Sequence, residues 1–271
     1  MNRHPATAGH PDRWASGHQW SLPGHAAVLY TYVRLEVGRS LRSRQYRFLA
    51  LGAPVGLYLV ATAAGLGPQP DALVGGTTWK TYAMVSMAAL GALGAGIAAS
   101  GSRLAADQDS GWVRTLTVAH LPRLHMLAGR VVAGVVIAGP PIMLLIGTAV
   151  LVHGVGLVPG SWLQLIASLW IGAVPFALLG VVMGLVLGRR AAVGAVVVLY
   201  LGLAFAGGLL EPIETPPAVV ATIGHLLPSF LVGDLGWQAI LGRSPSVQDI
   251  TLLAAESLAF ASLIVWIPRA E

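Results

Sequence analysis

Six apolar runs, each near the roughly 20 residues an α-helix needs to cross a bilayer, divide this chain of 271 residues. They lie at 48–66, 82–101, 126–152, 162–187, 191–210 and 250–267, and only Arg130 and Glu256 put a charge inside any of them. A soluble domain covers its surface with charge on about a quarter of its residues. Here 10% are charged and 55% apolar, with a mean hydropathy of +0.73. The pattern predicts an all-α membrane protein with six transmembrane helices.

The connecting segments test that count. Lys and Arg gather on the cytoplasmic side of membrane proteins. With the N-terminus inside, fourteen of the sixteen basic residues fall inside, leaving Lys80 and Arg243 outside with Glu211, Glu214 and Asp234. One miscounted helix would destroy this asymmetry. The expected topology is therefore multi-pass in the plasma membrane, with both termini cytoplasmic. The net charge of +5 then reflects orientation in the membrane, and no nucleic-acid partner is expected.

Residues 1–26 carry no apolar run of the signal-peptide kind and read as a disordered cytoplasmic tail. His4, His10, His18 and His25 are spaced too irregularly to mark a metal site, and the absence of cysteine excludes disulfides and thiolate ligands. Residues 27–47 are too charged to cross. Leu29, Val33, Val37 and Leu41 recur every four residues with Arg34, Arg39 and Arg42 off that stripe. This is the pattern of an interfacial amphipathic helix, its arginines facing anionic headgroups. A cytosolic helix packed on a partner would show it too.

Within the spans, Gly139-Pro140-Pro141 falls near the middle of the third, where proline removes a donor and clashes one turn back. Such a break in hydrocarbon requires neighbours or water to satisfy the freed carbonyls. The fourth span carries Pro175, then Gly180, Gly184 and Gly188 at intervals of four. That stripe allows close backbone approach, either inside the bundle or across a dimer seam. Residues 211–249 hold two apolar stretches of half a membrane thickness, separated by Pro228. They predict an extracellular re-entrant helical hairpin, with Glu211 and Glu214 at its entrance. Non-spanning backbone at that depth must be covered by protein or line a cavity.

No catalytic constellation is present: neither a phosphate-binding glycine loop nor a zinc-binding His-Glu-x-x-His helix occurs. Ser100 and His153 fall at opposite membrane faces, which excludes a serine–histidine pair. Glu256, about two turns into the sixth span, occupies a costly position. It is either linked to proton or cation movement or held as a hydrogen-bonded or protonated carboxyl in the bundle. Arg130 lies one turn into the third span, close enough to snorkel to headgroups.

Between the second and third spans, residues 103–122 form a polar island. Asp107, Asp109 and Ser110 precede Trp112, Val113, Leu116 and Val118, the order of a helix with acidic residues in its first turn. Leu121-Pro122-Arg123 ends it. Tryptophan and arginine are frequent interface anchors, so Trp112 and Arg114 point to a partner; Trp112 also suits an interfacial belt.

The run Asp109-Ser110-Gly111-Trp112-Val113-Arg114-Thr115-Leu116, with Leu121-Pro122-Arg123 and Leu127-Ala128-Gly129-Arg130 after it, resembles the signature of ATP-binding-cassette (ABC) type-2 exporter permeases. The later run Gly207-Gly208-Leu209-Leu210, Glu211-Pro212-Ile213-Glu214, Pro216-Pro217 and Leu226-Leu227-Pro228 is similar to that family's fifth-span exit and re-entrant hairpin. The likeness covers roughly residues 28–268. His120 stands where the family commonly has proline, and Arg130 where it has lysine.

What the resemblance implies is a non-catalytic permease subunit, working with two cytosolic ABC ATPase subunits and a second permease copy, identical or paralogous, among membrane lipid. The chain would hold no cofactor of its own; ATP and Mg would be bound by the partner ATPase. Asp107, Asp109, Gly111, Trp112, Arg114 and Leu116 would form the coupling helix, and residues 27–47 the elbow helix. Cargo would be a drug, antibiotic or lipid moved outward, and charge-poor spans argue against small hydrophilic ions. Tyr200, Phe205, Phe230 and Glu256 are candidate cargo contacts by position alone. A heme or cofactor exporter subunit, and a non-transporting immunity or scaffold protein, are the alternatives.

Overall fold

The computed structural model describes residues 25–63, 68–109, 123–187, 189–210 and 223–267. Helix α1 is His25–Leu41. A short helix α2, Arg44–Tyr46, runs through a π-helical turn, Arg47–Gly52, into α3, Ala53–Ala63. A two-residue hairpin follows, with Leu73 paired to Thr78 and Val74 to Thr77. Gly75 and Gly76 supply the positive φ angles of 58° and 83° that such a tight connection demands. Then come α4, Trp79–Asp109; α5, Arg123–Val136; α6, Gly139–His153; α7, Pro159–Ile171; α8, Ala173–Val186; α9, Arg189–Ala206; α10, Pro228–Ile240; and α11, Val247–Trp266.

Among the described residues, five helical stretches are long and apolar enough to cross a membrane: Arg44–Ala63, Trp79–Gly101, Leu124–His153, Pro159–Val186 and Val247–Trp266. The other expected span, 191–210, is an apolar helix over Ala191–Ala206 only. It ends early because Gly208 turns left-handed at φ 71° and lets Leu209 N–H close back on Ala204 O at 2.9 Å, a glycine stop. At 1.5 Å per residue, this helix is the shortest of the set.

Helix α4 is the axis of the bundle: every residue from Thr81 to Ser100 is buried. Its sequence is dominated by alanine and glycine, so neighbours approach its backbone closely. A Cβ on Gly96 would lie 2.7 Å from the Phe176 side chain, and one on Gly184 2.7 Å from Gly101 O. Likewise Gly180 lies against Gly96 O. Gly180 and Gly184 therefore seat α8 on α4 within one chain, the first of the two uses open to that stripe; Gly188 lies outside the described residues.

The breaks in the spans are closed by side chains from elsewhere. In the π turn the Ala53 N–H reaches back five residues to Phe48 O. The next amide in that pattern would be residue 54, a proline, so Leu49 O is left without it. The Tyr200 hydroxyl donates to Leu49 O at 3.0 Å. In the third span Pro141 has no N–H for Ile137 O, and the Tyr46 hydroxyl donates there at 2.9 Å. Trp170 Nε1 donates to Val135 O at 2.7 Å. These are the compensations that broken helices in hydrocarbon require.

Candidate functional site

The described flanks of the expected coupling segment, the end of α4 and the start of α5, meet α1 of the expected elbow at one end of the bundle. The second span does not stop at Gly101: α4 continues unbroken to Asp109. Leu104, fully buried, joins Met126 and Leu127 of α5, Leu178 and Val181 of α8, Ile264 of α11 and Tyr32 of α1 in a second apolar core. That packing carries the helix past the membrane-length run. Asp107 and Asp109 therefore fall in the last turns of a long helix, the negative end of its dipole, and continuous with the span. Gly111, Trp112, Arg114 and Leu116 lie outside the described residues. The residues that bracket them, the end of α4 and the start of α5, belong to two helices packed on one another.

Helix α1 lies against α5 with a face that its apolar periodicity does not reveal. Among its described side chains the buried ones are Tyr32, Glu36 and Ser40, whereas Leu41 is 41% exposed. Arg130 of α5, expected to snorkel, is 1% exposed, and its Nη1 lies 3.4 Å from Oε1 of Glu36, itself 2% exposed. The other Glu36 oxygen, Oε2, is 3.4 Å from Nη1 of Arg39. Arg130 thus reaches inward to an acidic partner on α1 rather than outward to headgroups. Burying a charge requires such a partner, and it stands 94 residues away in sequence.

The opposite end carries the described arm of the expected hairpin. Pro228 occupies the first turn of α10, where its missing N–H costs nothing; Glu211 and Glu214 lie outside the described residues. Helix α10 is embedded among α4, α7 and α11, with Ser229, Leu231, Val232, Leu235, Gly236 and Trp237 all buried. Aromatic contacts fix its register. Trp237 stacks on Tyr82 at 4.8 Å between centroids and Tyr82 on Trp79 at 6.0 Å. Phe230 sits edge-on between His225 at 4.5 Å and Trp237 at 6.1 Å.

A polar knot ties α10 to α11. The Gln238 amide donates to Asp234 Oδ2 at 2.5 Å and to Asp249 Oδ2 at 2.9 Å, and Gln238 Oε1 accepts from Ser246 N at 2.7 Å. Ser246 also caps α11 by accepting from Asp249 N. Burial pushes the Asp234 carboxyl up to about 6, and its hydrogen bond with Asp249 adds to this.

The four candidate cargo contacts lie on three helices, α9, α10 and α11. Tyr200 is buried with its hydroxyl on Leu49 O. Phe205 is 51% exposed on α9. Phe230 belongs to the aromatic array. Glu256 is half-buried on α11, with a buried Oε2 that takes no hydrogen bond. A cavity of about 370 Å³ beside the Gly139-Pro140 break, lined by Val136, Met143, Ile166 and Trp170 among others, contains none of them. Among the described residues no group of three or more His, Asp or Glu side chains could hold a metal ion.

No protein-family model matches the chain. It is similar to a protein of Bacillus subtilis (strain 168) named "Putative transport permease YvfS", with 29% identity over 238 residues. The alignment covers 87% of this chain and 95% of that protein. Five bilayer-length apolar helices among the described residues and the likeness to a protein named as a transport permease over most of both chains make this a helical membrane protein similar in sequence to a transport permease.

Proposed function

We propose that the chain is the permease subunit of an ABC exporter. It moves an amphipathic or hydrophobic compound outward while cytosolic partners hydrolyse ATP. The observation that carries this reading is the near end-to-end likeness to a protein named as a transport permease. The type-2 exporter resemblance of residues 109–116 and 207–228 narrows it to that class. In this reading the chain performs no reaction of its own. ATP-driven closure of two ATPase subunits pushes on residues 103–122, and α4 and α5, which flank the unassigned part of that segment and pack together, carry the push into the bundle. A second permease copy completes the path. The exposed apolar face of α9, Val193, Val197, Val198, Leu201 and Phe205, is available to it or to lipid.

The test is a Trp112→Ala/Arg114→Ala double variant in inside-out vesicles, read by ATP-driven accumulation of a fluorescent amphipathic dye. Membrane insertion stays at the parent level and accumulation is lost. Parent-level accumulation in the double variant would sink the assignment of this segment.

A further inference from the structure

The buried pair between α1 and α5 has no role in the reading above. Two charged side chains at 1% and 2% exposure are an expensive way to hold two helices together, since apolar residues of similar size would dock at least as well. What an ion pair adds is a discrete position. Glu36 meets Arg130 at one point along α5, whereas an apolar stripe can slide or roll. The surroundings sharpen this point. The face of α1 turned to the protein is Tyr32, Glu36 and Ser40, while Tyr30 and Leu35 are 70% and 59% exposed. The docked face thus carries a ring, a carboxylate and a hydroxyl, and Glu36 is its charged member among the described positions of α1. The charge pair therefore sets which face of α1 docks.

Its place in the chain gives that choice a consequence. Arg130 lies about two turns into α5, the helix that begins at Arg123, directly after residues 110–122. We infer that Glu36 and Arg130 form a charge latch that fixes α1 to α5, so that a displacement entering through residues 103–122 moves α1 and the third span as one body. Glu36 and Arg130 are in this sense positioning residues for transport. The transport half of the inference rests on the exporter reading; the latch itself does not.

The chain has no cysteine, so spin labels can be placed at Leu35→Cys on α1 and Val132→Cys on α5, both exposed positions. Their distance distribution is measured by pulsed electron–electron resonance with the full chain in lipid vesicles. The otherwise unaltered chain gives one narrow distribution. Glu36→Gln and Arg130→Gln broaden it, and Arg130→Lys, which keeps the charge, leaves it narrow. If a single glutamine variant fails to accumulate, the Glu36→Gln/Arg130→Gln double variant buries no unpaired charge and broadens the distribution likewise. In vesicles containing the ATPase partner, Glu36→Gln hydrolyses ATP at the parent rate but transports about tenfold less, and Arg130→Lys transports normally.

A narrow distribution in the glutamine variants would overturn the latch. A broad distribution with undiminished transport would overturn its positioning role. Absence of any ATPase partner would bring down the exporter reading instead, and the distance measurement would still decide the latch.

Discussion

Tyr46 shows how single residues hold this bundle together. Pro141 leaves Ile137 O without its intrahelical donor, and the Tyr46 hydroxyl, 91 residues away, supplies one. Tyr200 does the same for Leu49 O beside Pro54. Side-chain hydrogen bonds inside membrane proteins contribute about 1 kcal/mol. Tyr46→Phe is accordingly expected to lower stability by about that amount, read as a reduced thermal unfolding midpoint in detergent, with the fold intact. A midpoint equal to the parent's would mean that Ile137 O has another donor. At this scale the sequence shows only one side of each bargain. Pro141 announces a freed carbonyl, but nothing local names Tyr46 as its donor. Arg130 is the same case in charge: position in the span predicts snorkelling, and only the fold brings Glu36 to it.

Elements were more legible, because hydropathy and helix stops are local sums. Five of the expected spans appear as bilayer-length helices. The fifth expected span is cut short by Gly207-Gly208, residues counted as part of its apolar run because glycine is no obstacle to a hydropathy sum yet is a strong helix stop. The face of α1 that packs on the bundle is not its apolar stripe. Val33 and Val37 sit at the edge of the docked face, whose described centre is Tyr32, Glu36 and Ser40, with Glu36 paired to Arg130. The second span runs on to Asp109 because Leu104 finds a core beyond the membrane-length run.

Helix α10 carries the prediction at this scale. Asp234, raised to about 6 chiefly by burial and then by Asp249, is opposed by the Gln238 amide and by His225. A carboxyl whose pKa is higher when folded than when free favours the docked helix while protonated. That contribution is full below the ordinary carboxylate value and is lost as pH rises through about 6. Hydrogen exchange of α10 amides, corrected for intrinsic rates, is expected to quicken between pH 5 and 7.5 in the parent. In Asp234→Asn it stays flat, with slow exchange throughout. Equal pH dependence in both would assign the effect to another group.

For the molecule as a whole, the sequence points to function by other signals than those that set its fold. Spacing and charge asymmetry predict an orientation, and the sequence offers the polar island no catalytic constellation. The resemblance at Asp109–Leu116 implies a partner for it. The structure describes that island's supports, α4 and α5, and shows α1 clipped to the second of them; a transport subunit driven from outside needs such a rigid route from a cytosolic segment into its spans. The most direct test of the exporter reading is affinity purification of the tagged chain from native membranes, followed by measurement of ATP hydrolysis in the purified material. The account predicts a copurifying cytosolic ABC subunit that hydrolyses ATP and is lost in the Trp112→Ala/Arg114→Ala variant. A chain that purifies without any ATP-hydrolysing subunit would contradict it.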